Sequence, residues 1–235
     1  MNLLLFTESD RLDARRIRVT DRRLDHLYAV LKSVPGDSIR VGELHGKIGT
    51  GELLDIDEQQ AILSVELDQT PPARMPLCLV LALPRPKMLR RILRCVAEIG
   101  VDQLHLIHSY RVEKSYWQTP ALQPNLINEY LMQGLEQAQD TILPTVCCHK
   151  RFKPFVEDVL PALMKGRDTL LAQPGDNPPC PRNMQRDMLV TVGPEGGFIP
   201  YEVEKLTAAG CREVSLGPRI LRVETAVTAL LSRLA

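Results

Sequence analysis

A chain of 235 residues, 44% hydrophobic and 25% charged, is long enough for one or two domains with their own cores and has an ordinary globular composition. Its formal net charge of zero argues against a protein that merely coats nucleic acid, since such domains are strongly basic. The longest apolar runs, such as residues 77–83, are too short to cross a bilayer, and the N-terminus has no basic leader or small-residue cleavage site, so a cytoplasmic location without membrane attachment is expected.

In chain order, residues 25–33 predict a short helix running into a turn at Pro35 and Gly36. Alternating runs at 38–41, 50–56 and 61–67 follow, with turn residues between them, the pattern of a small β-barrel or meander. Three prolines within residues 69–76 read as a linker. Beyond it the rhythm changes. Strands are predicted at 77–83, 103–107, 169–172, 188–192 and 213–216, and helices at 87–99, 123–139, 154–164, 200–209 and 223–234. This alternation predicts an α/β fold, a mostly parallel sheet covered by helices, with ligands at the carboxyl ends of strands.

Charge is segregated along the chain. Residues 74–118 carry Arg74, Arg85, Lys87, Arg90, Arg91, Arg94, Arg111 and Lys114 against Glu98, Asp102 and Glu113. In the helix predicted at 87–99, Lys87, Arg90, Arg91 and Arg94 fall on one face, opposite Met88, Ile92, Val96 and Ile99. A solvated face normally mixes acids with its cations, so a phosphate backbone is the expected partner of this one. The six cysteines form no C-x-x-C pair and no histidine stands at finger spacing, so neither a metal nor a disulfide framework is expected. The five histidines have no hydrolase-type companions, and Trp117 follows a basic stretch, suiting either packing or base stacking.

Two strand ends stand out. At the first, Gly193, Pro194, Glu195, Gly196, Gly197 and Phe198 precede Pro200 and Glu202 at a helix start. The glycines admit close ligand approach, although for this motif alone a tight strand-to-helix turn is the better reading, and neither phosphate-binding fingerprint is present. At the second, Leu216, Gly217 and Pro218 lead to Arg219, Ile220, Leu221 and Arg222, then to Glu224, Thr225 and Ala226. Two readings fit. Ile220 and Leu221 line a pocket for a flat aromatic ligand, or they plug the core while Arg222 and Glu224 form a surface ion pair. The last helix bears an apolar stripe, Val223, Val227, Leu230, Leu231 and Leu234, to be covered by the core or by a second subunit.

These paired motifs, in this order and near the C-terminus, resemble the signature of the RsmE-type ribosomal RNA methyltransferases of the SPOUT superfamily. Residues 97–101 (Ala-Glu-Ile-Gly-Val) are similar to the family's Glu-Leu-Gly-Val stretch, Glu136 and Gln137 to its Glu-Gln helix, and residues 26–37 to its PUA-like barrel. The resemblance implies a PUA-like β-barrel for RNA recognition over 1–70 and a SPOUT domain with a trefoil knot over 71–235. It further implies S-adenosyl-L-methionine as cofactor, a homodimer, and methylation at N3 of a uridine in 16S ribosomal RNA, within the assembled small subunit. The cofactor site would comprise Gly193, Pro194, Glu195, Gly196 and Gly197, then Leu216, Gly217, Ile220, Leu221, Arg222, Thr225 and Ala226, with Ala172, Gln173 and Pro174 from an earlier strand end.

The chain departs from the family pattern in three places. Asp140 stands where an arginine is usual, a usual lysine is replaced within residues 94–97, and the N-terminal arginine is missing from residues 1–6. All three fall in regions expected to face RNA. Arg222 is the expected stabiliser of a uracil anion, because it stays protonated, and Glu224 is expected either to accept the proton or to fix Arg222. Arg85, Lys87, Arg90, Arg91, Arg94 and Arg111 are the expected RNA contacts. The same chemistry on transfer or large-subunit ribosomal RNA, a non-catalytic RNA-binding module, and a dinucleotide-dependent dehydrogenase are the competing readings. The missing glycine fingerprint weighs against the last.

Overall fold

Eleven strands and seven α-helical segments occur among the described residues, 2–184 and 186–235, of the computed structural model. Met1, part of the departure at residues 1–6, lies outside them. The chain forms two units: the stretch up to Ala73 with Leu131–Leu143, and Arg74–Tyr130 with Pro144–Ala235.

In the first unit β1 (Leu4–Phe6), β2 (Arg16–Val19), β3 (Ser38–Glu43), β4 (Ile48–Ile56) and β5 (Ala61–Gln69) make one sheet in the order β1-β3-β4-β5-β2. β1 runs parallel to β3 and the other pairs are antiparallel. The alternating runs of the sequence become β3, β4 and β5 because one face is buried: Val41, Leu53, Leu63 and Val65 share a core with Phe6, Ile17 and Val19. β1 and β2 are additions to the predicted elements. Residues 3–6 form an unbroken apolar run with no alternation, and β2 is only four residues long.

The predicted helix at 25–33 begins earlier, as α1 (Arg22–Asp25), and continues as a wider π-helical turn, His26–Leu31. Asp21 caps it by accepting from the Arg23 backbone N–H at 3.0 Å. The buried Arg23 side chain donates to both oxygens of Asp10 and to the Leu5 carbonyl, each at 2.8 Å. Burial alone would push the Asp10 carboxyl up, but hydrogen bonds from Arg23 and the Thr7 backbone, with the Arg23 charge, hold it below the usual carboxylate range.

Leu131–Leu143 carries Glu136 and Asp140, both buried in this unit. Glu136 receives the Arg22 guanidinium at 2.7 and 2.9 Å. Asp140 Oδ1 accepts from the backbone N–H groups of Thr141 at 2.6 Å and Ile142 at 3.1 Å. Asp140 is therefore a buried turn cap. Leu3, Leu4, Leu5 and Phe6 are core residues too. Two of the three departures thus fall largely in an interior, not on an RNA-facing surface, which corrects that expectation.

The second unit contains β6 (Met75–Ala82), α2 (Pro86–Ile99), β7 (Val101–Ile107), the start of α3 (Pro124–Ala138), β8 (Thr145–His149), α4 (Phe152–Pro154), α5 (Leu160–Met164), β9 (Asp168–Ala172), β10 (Met188–Val192), α6 (Pro200–Ala208), β11 (Arg212–Val214) and α7 (Val223–Leu234). Its six strands are all parallel, in the order β11-β9-β10-β6-β7-β8. β10 is buried along its whole length, as a central strand with both faces covered requires. Only β8 was absent from the predicted elements; Thr-Val-Cys-Cys-His shows neither clean alternation nor an apolar run. The linker predicted at 69–76 is shorter than expected, because β5 extends to Gln69 and β6 begins at Met75. Pro76 is tolerated there since the register shifts between Met75 and Cys78. α2 starts on Pro86 and ends at Gly100, whose φ of 80° is the left-handed cap that favours glycine.

Candidate cofactor site and the surface beside it

The strand order reverses at the β6–β10 pair. From β6 the chain steps outward through β7 and β8, and β9, β10 and β11 fill the opposite side. A crevice is expected at the carboxyl ends of strands on either side of such a switch. A cavity open to solvent lies beyond the ends of β9, β10 and β11.

Three loops and one helix build it. Ala172, Gln173 and Pro174 follow β9; Val192, Gly193, Pro194, Glu195 and Gly197 end and follow β10. Val214, Ser215, Leu216, Gly217, Arg219, Ile220 and Leu221 end and follow β11, and Val223, Ala226 and Leu230 come from α7. Gln173 N–H donates to the Val214 carbonyl at 2.9 Å, and Gly197 N–H to the Pro194 carbonyl at 2.8 Å, closing the turn after β10. Ser215 Oγ accepts from Gly217 N–H at 3.1 Å. Gly197 and Gly217 have φ of 72° and 118°, a region L side chains rarely adopt, and open space lies where a Cβ would point.

The structure brings most of the expected cofactor residues together: Ala172, Gln173, Pro174, Gly193, Pro194, Glu195, Gly197, Leu216, Gly217, Ile220, Leu221 and Ala226 line one cavity. Gly196, Arg222 and Thr225 are outside the lining. A Cβ on Gly196 would meet Arg111 Cδ at 2.9 Å, so this glycine makes room for a neighbouring side chain. Arg222 is the exposed N-cap of α7, and Thr225 is exposed in its first turn. Sequence reasoning missed Val192, Val214, Ser215, Arg219, Val223 and Leu230. Val192 ends a predicted strand, Val214 lies within another, and Val223 and Leu230 belong to the apolar stripe, so burial alone accounted for these four.

Of the two readings of the second loop, the structure keeps the pocket lining and overturns the core plug with its ion pair. Ile220 is 84% exposed and Leu221 37% exposed, so neither plugs the core. Glu224 does not pair with Arg222; its Oε1 lies 4.0 Å from Arg91 Nη1 on α2. The stripe on α7 is buried within the unit, Val227 and Leu231 completely. The core covers it, so it is not an uncovered face awaiting a second subunit.

On α2 the buried side is Leu89, Ile92, Leu93, Val96 and Ala97. Met88 and Ile99 are half-buried, a shift from the predicted apolar face. Lys87, Arg90 and Arg91 are exposed. Arg90 and Arg94 lie over the Tyr130 ring, 5.9 and 4.9 Å from its centroid.

Loops from β6 and β7 are tied to the glycine loop on the side away from β9. Glu195 Oε1 accepts from Arg85 N–H at 3.0 Å. The buried Glu202 accepts from Tyr110 N–H at 2.7 Å through one oxygen and from Ile199 N–H at 3.0 Å through the other. Arg111 donates from Nη1 to the Gly196 carbonyl. The sequence signal for Glu202 was its place at a helix start, which marks a cap; that it also fixes Tyr110 is a tertiary fact. Trp117, half-buried, donates to His108 Nδ1 at 3.0 Å.

A family model described as an RNA methyltransferase domain matches residues 71–235. The chain is 30% identical to ribosomal RNA small subunit methyltransferase E of Treponema pallidum, covering 97% of this chain and 88% of the relative. It is 26% identical to the protein of the same name from Synechocystis, covering 93% and 72%. Among solved structures, ribosomal RNA small subunit methyltransferase E of Neisseria gonorrhoeae, bound to S-adenosyl methionine, superposes with a TM-score of 0.77 at 21% identity, over 97% of this chain and 95% of that one.

Proposed function

The chain belongs to the RNA methyltransferase family whose domain model spans residues 71–235, and from that membership we propose that it methylates N3 of a uridine in 16S ribosomal RNA, using S-adenosyl-L-methionine. The observation that carries this reading is the cavity itself. Open space beside Gly197 and Gly217, apolar walls from Val192, Val214, Leu221 and Leu230, and backbone polar groups at three strand ends fit a ligand with a flat aromatic base and a polar tail.

When bound, S-adenosylmethionine supplies an electrophilic methyl on sulfonium; the C–S bond breaks as the N3–C bond forms, N3 loses its proton, and S-adenosylhomocysteine leaves. The protein's part is to position and to stabilise charge. The turns after β9, β10 and β11 hold the ligand against backbone. Arg222, exposed at the N-cap of α7 beside cavity-lining Leu221 and Val223, is the proposed partner for negative charge developing on the uracil oxygens. Glu224, in the first turn of α7 and facing Arg91, is the proposed proton acceptor.

The finer features belong to the same proposal. The loops around the cavity form a trefoil knot, and residues 1–70 form a PUA-like barrel that helps recognise RNA, with 71–235 as the SPOUT domain apart from Leu131–Leu143, which groups with the barrel. Arg85, Lys87, Arg90, Arg91, Arg94 and Arg111 meet phosphates. The protein works as a homodimer on the assembled small subunit, in the cytoplasm. The exposure of Ile220 and Leu221 at the cavity rim supports the dimer, since large apolar side chains gathered at a site mark a contact surface. No helix among the described residues is long and apolar enough to cross a membrane.

The test is nucleoside mass spectrometry of small-subunit ribosomal RNA from cells lacking the gene, with and without its restoration. N3-methyluridine should vanish and return. An unchanged modification profile would sink the reading.

A further inference from the structure

The segment between β7 and the turns that precede α3 displays its side chains in an unusual way. Ser109 and Val112 are buried, and Val112 N–H donates to the Ser109 carbonyl at 3.0 Å. Between these two anchors Tyr110 is 78% exposed. Its backbone is fixed by the 2.7 Å bond from its N–H to buried Glu202, whose other oxygen holds Ile199 at the end of the glycine loop. A charge-assisted bond of this kind to a buried carboxylate is among the stronger ones available. The aromatic ring is therefore held in solvent by a rigid support rather than carried there by a loose loop.

Its surroundings fit one kind of partner. The glycine loop follows β10, with the cavity on its β9 and β11 side and the loops after β6 and β7 on the other. Those two loops carry Arg85 and Arg111, both tied to the glycine loop, through Glu195 and the Gly196 carbonyl. Besides Glu202, the same loops involve two acids, Glu195 and Glu113; the first receives Arg85 N–H and the second Tyr116 OH at 3.0 Å. An exposed aromatic among arginines, beside a methyl-donor cavity, matches a strand of unpaired nucleotides: rings stack on bases while cations meet phosphates.

We propose that Tyr110 is a stacking platform for an unpaired base adjacent to the nucleotide being methylated. This rests on the RNA methyltransferase reading above. Glu202 then acts as a positioning residue, locking the platform to the glycine loop so that base and cofactor keep a fixed separation. Stacking is indifferent to base identity, so Tyr110 contributes affinity and placement, and sequence choice comes from elsewhere.

Steady-state kinetics on small ribosomal subunits from cells lacking the gene, with Tyr110→Ala, Tyr110→Leu, Tyr110→Phe and Tyr110→Trp, test this. Loss of the ring should raise KM for the subunit roughly tenfold, the size of one base–aromatic stack, with the effect falling on KM rather than on kcat or cofactor affinity. Phe and Trp should stay close to wild type. Leu should behave like Ala, because bulk without a π-face does not stack. A wild-type KM in Tyr110→Ala overturns the proposal. So does equal damage in Tyr110→Phe, which would make the hydroxyl the determinant. A changed sedimentation coefficient in Tyr110→Ala overturns it as well, by assigning the ring to contact between copies of the chain. If wild-type protein methylates no subunits, the methyltransferase reading fails by itself. The affinity of the same variants for naked small-subunit ribosomal RNA, measured without cofactor, then still decides the platform.

Discussion

Single residues in this protein carry weight according to the space around them. Of the glycines in the two motifs, Gly217 and Gly196 look alike in sequence yet differ physically. Gly217 lines the cavity with φ of 118°, so Gly217→Val strains the backbone and places a side chain in the ligand's space. The strain lowers stability by about 1–3 kcal/mol, while the side chain in the ligand's space should lower cofactor affinity by about a hundredfold or more, the scale of a lost well-packed contact of about 3 kcal/mol. Gly196 faces Arg111 instead. Gly196→Ala should displace that flexible arm and leave cofactor affinity within a few-fold of wild type. Titration calorimetry with S-adenosylhomocysteine, on variants whose circular dichroism matches wild type, distinguishes the two. Equal losses would place the ligand against both glycines and contradict the observed lining.

At the scale of elements, α2 and α7 meet through polar as well as apolar side chains. Thr228 on α7 lies 3.3 Å from Cys95 Sγ, and Glu224 faces Arg91. The cationic face of α2 and the cofactor loops are far apart along the chain, yet Arg91 approaches Glu224, which sits between cavity residues Val223 and Ala226. Arg90→Ala with Arg91→Ala should flatten the salt dependence of RNA binding by a slope of about two, nearly one unit for each phosphate left without its arginine. Superimposable salt series for variant and wild type would mean an ordinary solvated face. Arg90→Ala alone should leave cofactor affinity unchanged, whereas Arg91→Ala should shift it slightly.

For the whole molecule, the two units contain different acid-sensitive groups. In the second, His105 on β7 and His149 at the end of β8 stack with ring centroids 5.2 Å apart and a nitrogen–nitrogen distance of 3.0 Å. Burial, then the neighbouring His149 and Arg167, push His105 down to about 4. Unfolded, it would take up a proton near its ordinary value of about 6.5. Stability of this unit is therefore complete above that pH and is lost as pH falls toward 4, by up to about 1.4 kcal/mol per pH unit for each such group. In the first unit Asp10 and Asp21 are held low despite burial by their bonds to Arg23. Their contribution lasts until pH drops below about 4, the ordinary carboxylate value. Trp117, the only tryptophan, lies in the second unit, so its fluorescence reports that unit alone. The urea midpoint followed at Trp117 should fall between pH 6.5 and 4.5. A flat midpoint across that interval would show that His105 does not stay neutral in the fold.

Legible in the residues alone were the strand–helix alternation of the second unit, the antiparallel runs β3 to β5, and the glycine-bearing turns at 193–197 and 216–217. These are local signals. Burial on one face, burial on both faces, and glycine at a positive φ each leave a mark within a few residues. Packing against distant segments was needed to learn that Ile220 and Leu221 face solvent, that the stripe of α7 is covered by its own unit, and that Glu136 and Asp140 belong inside the N-terminal unit. It alone paired Glu224 with Arg91 and set Tyr110 on its carboxylate support. Each of these depends on which distant segment arrives alongside, and periodicity carries no information about that: an apolar side chain has the same pattern whether its cover is the core or a ligand.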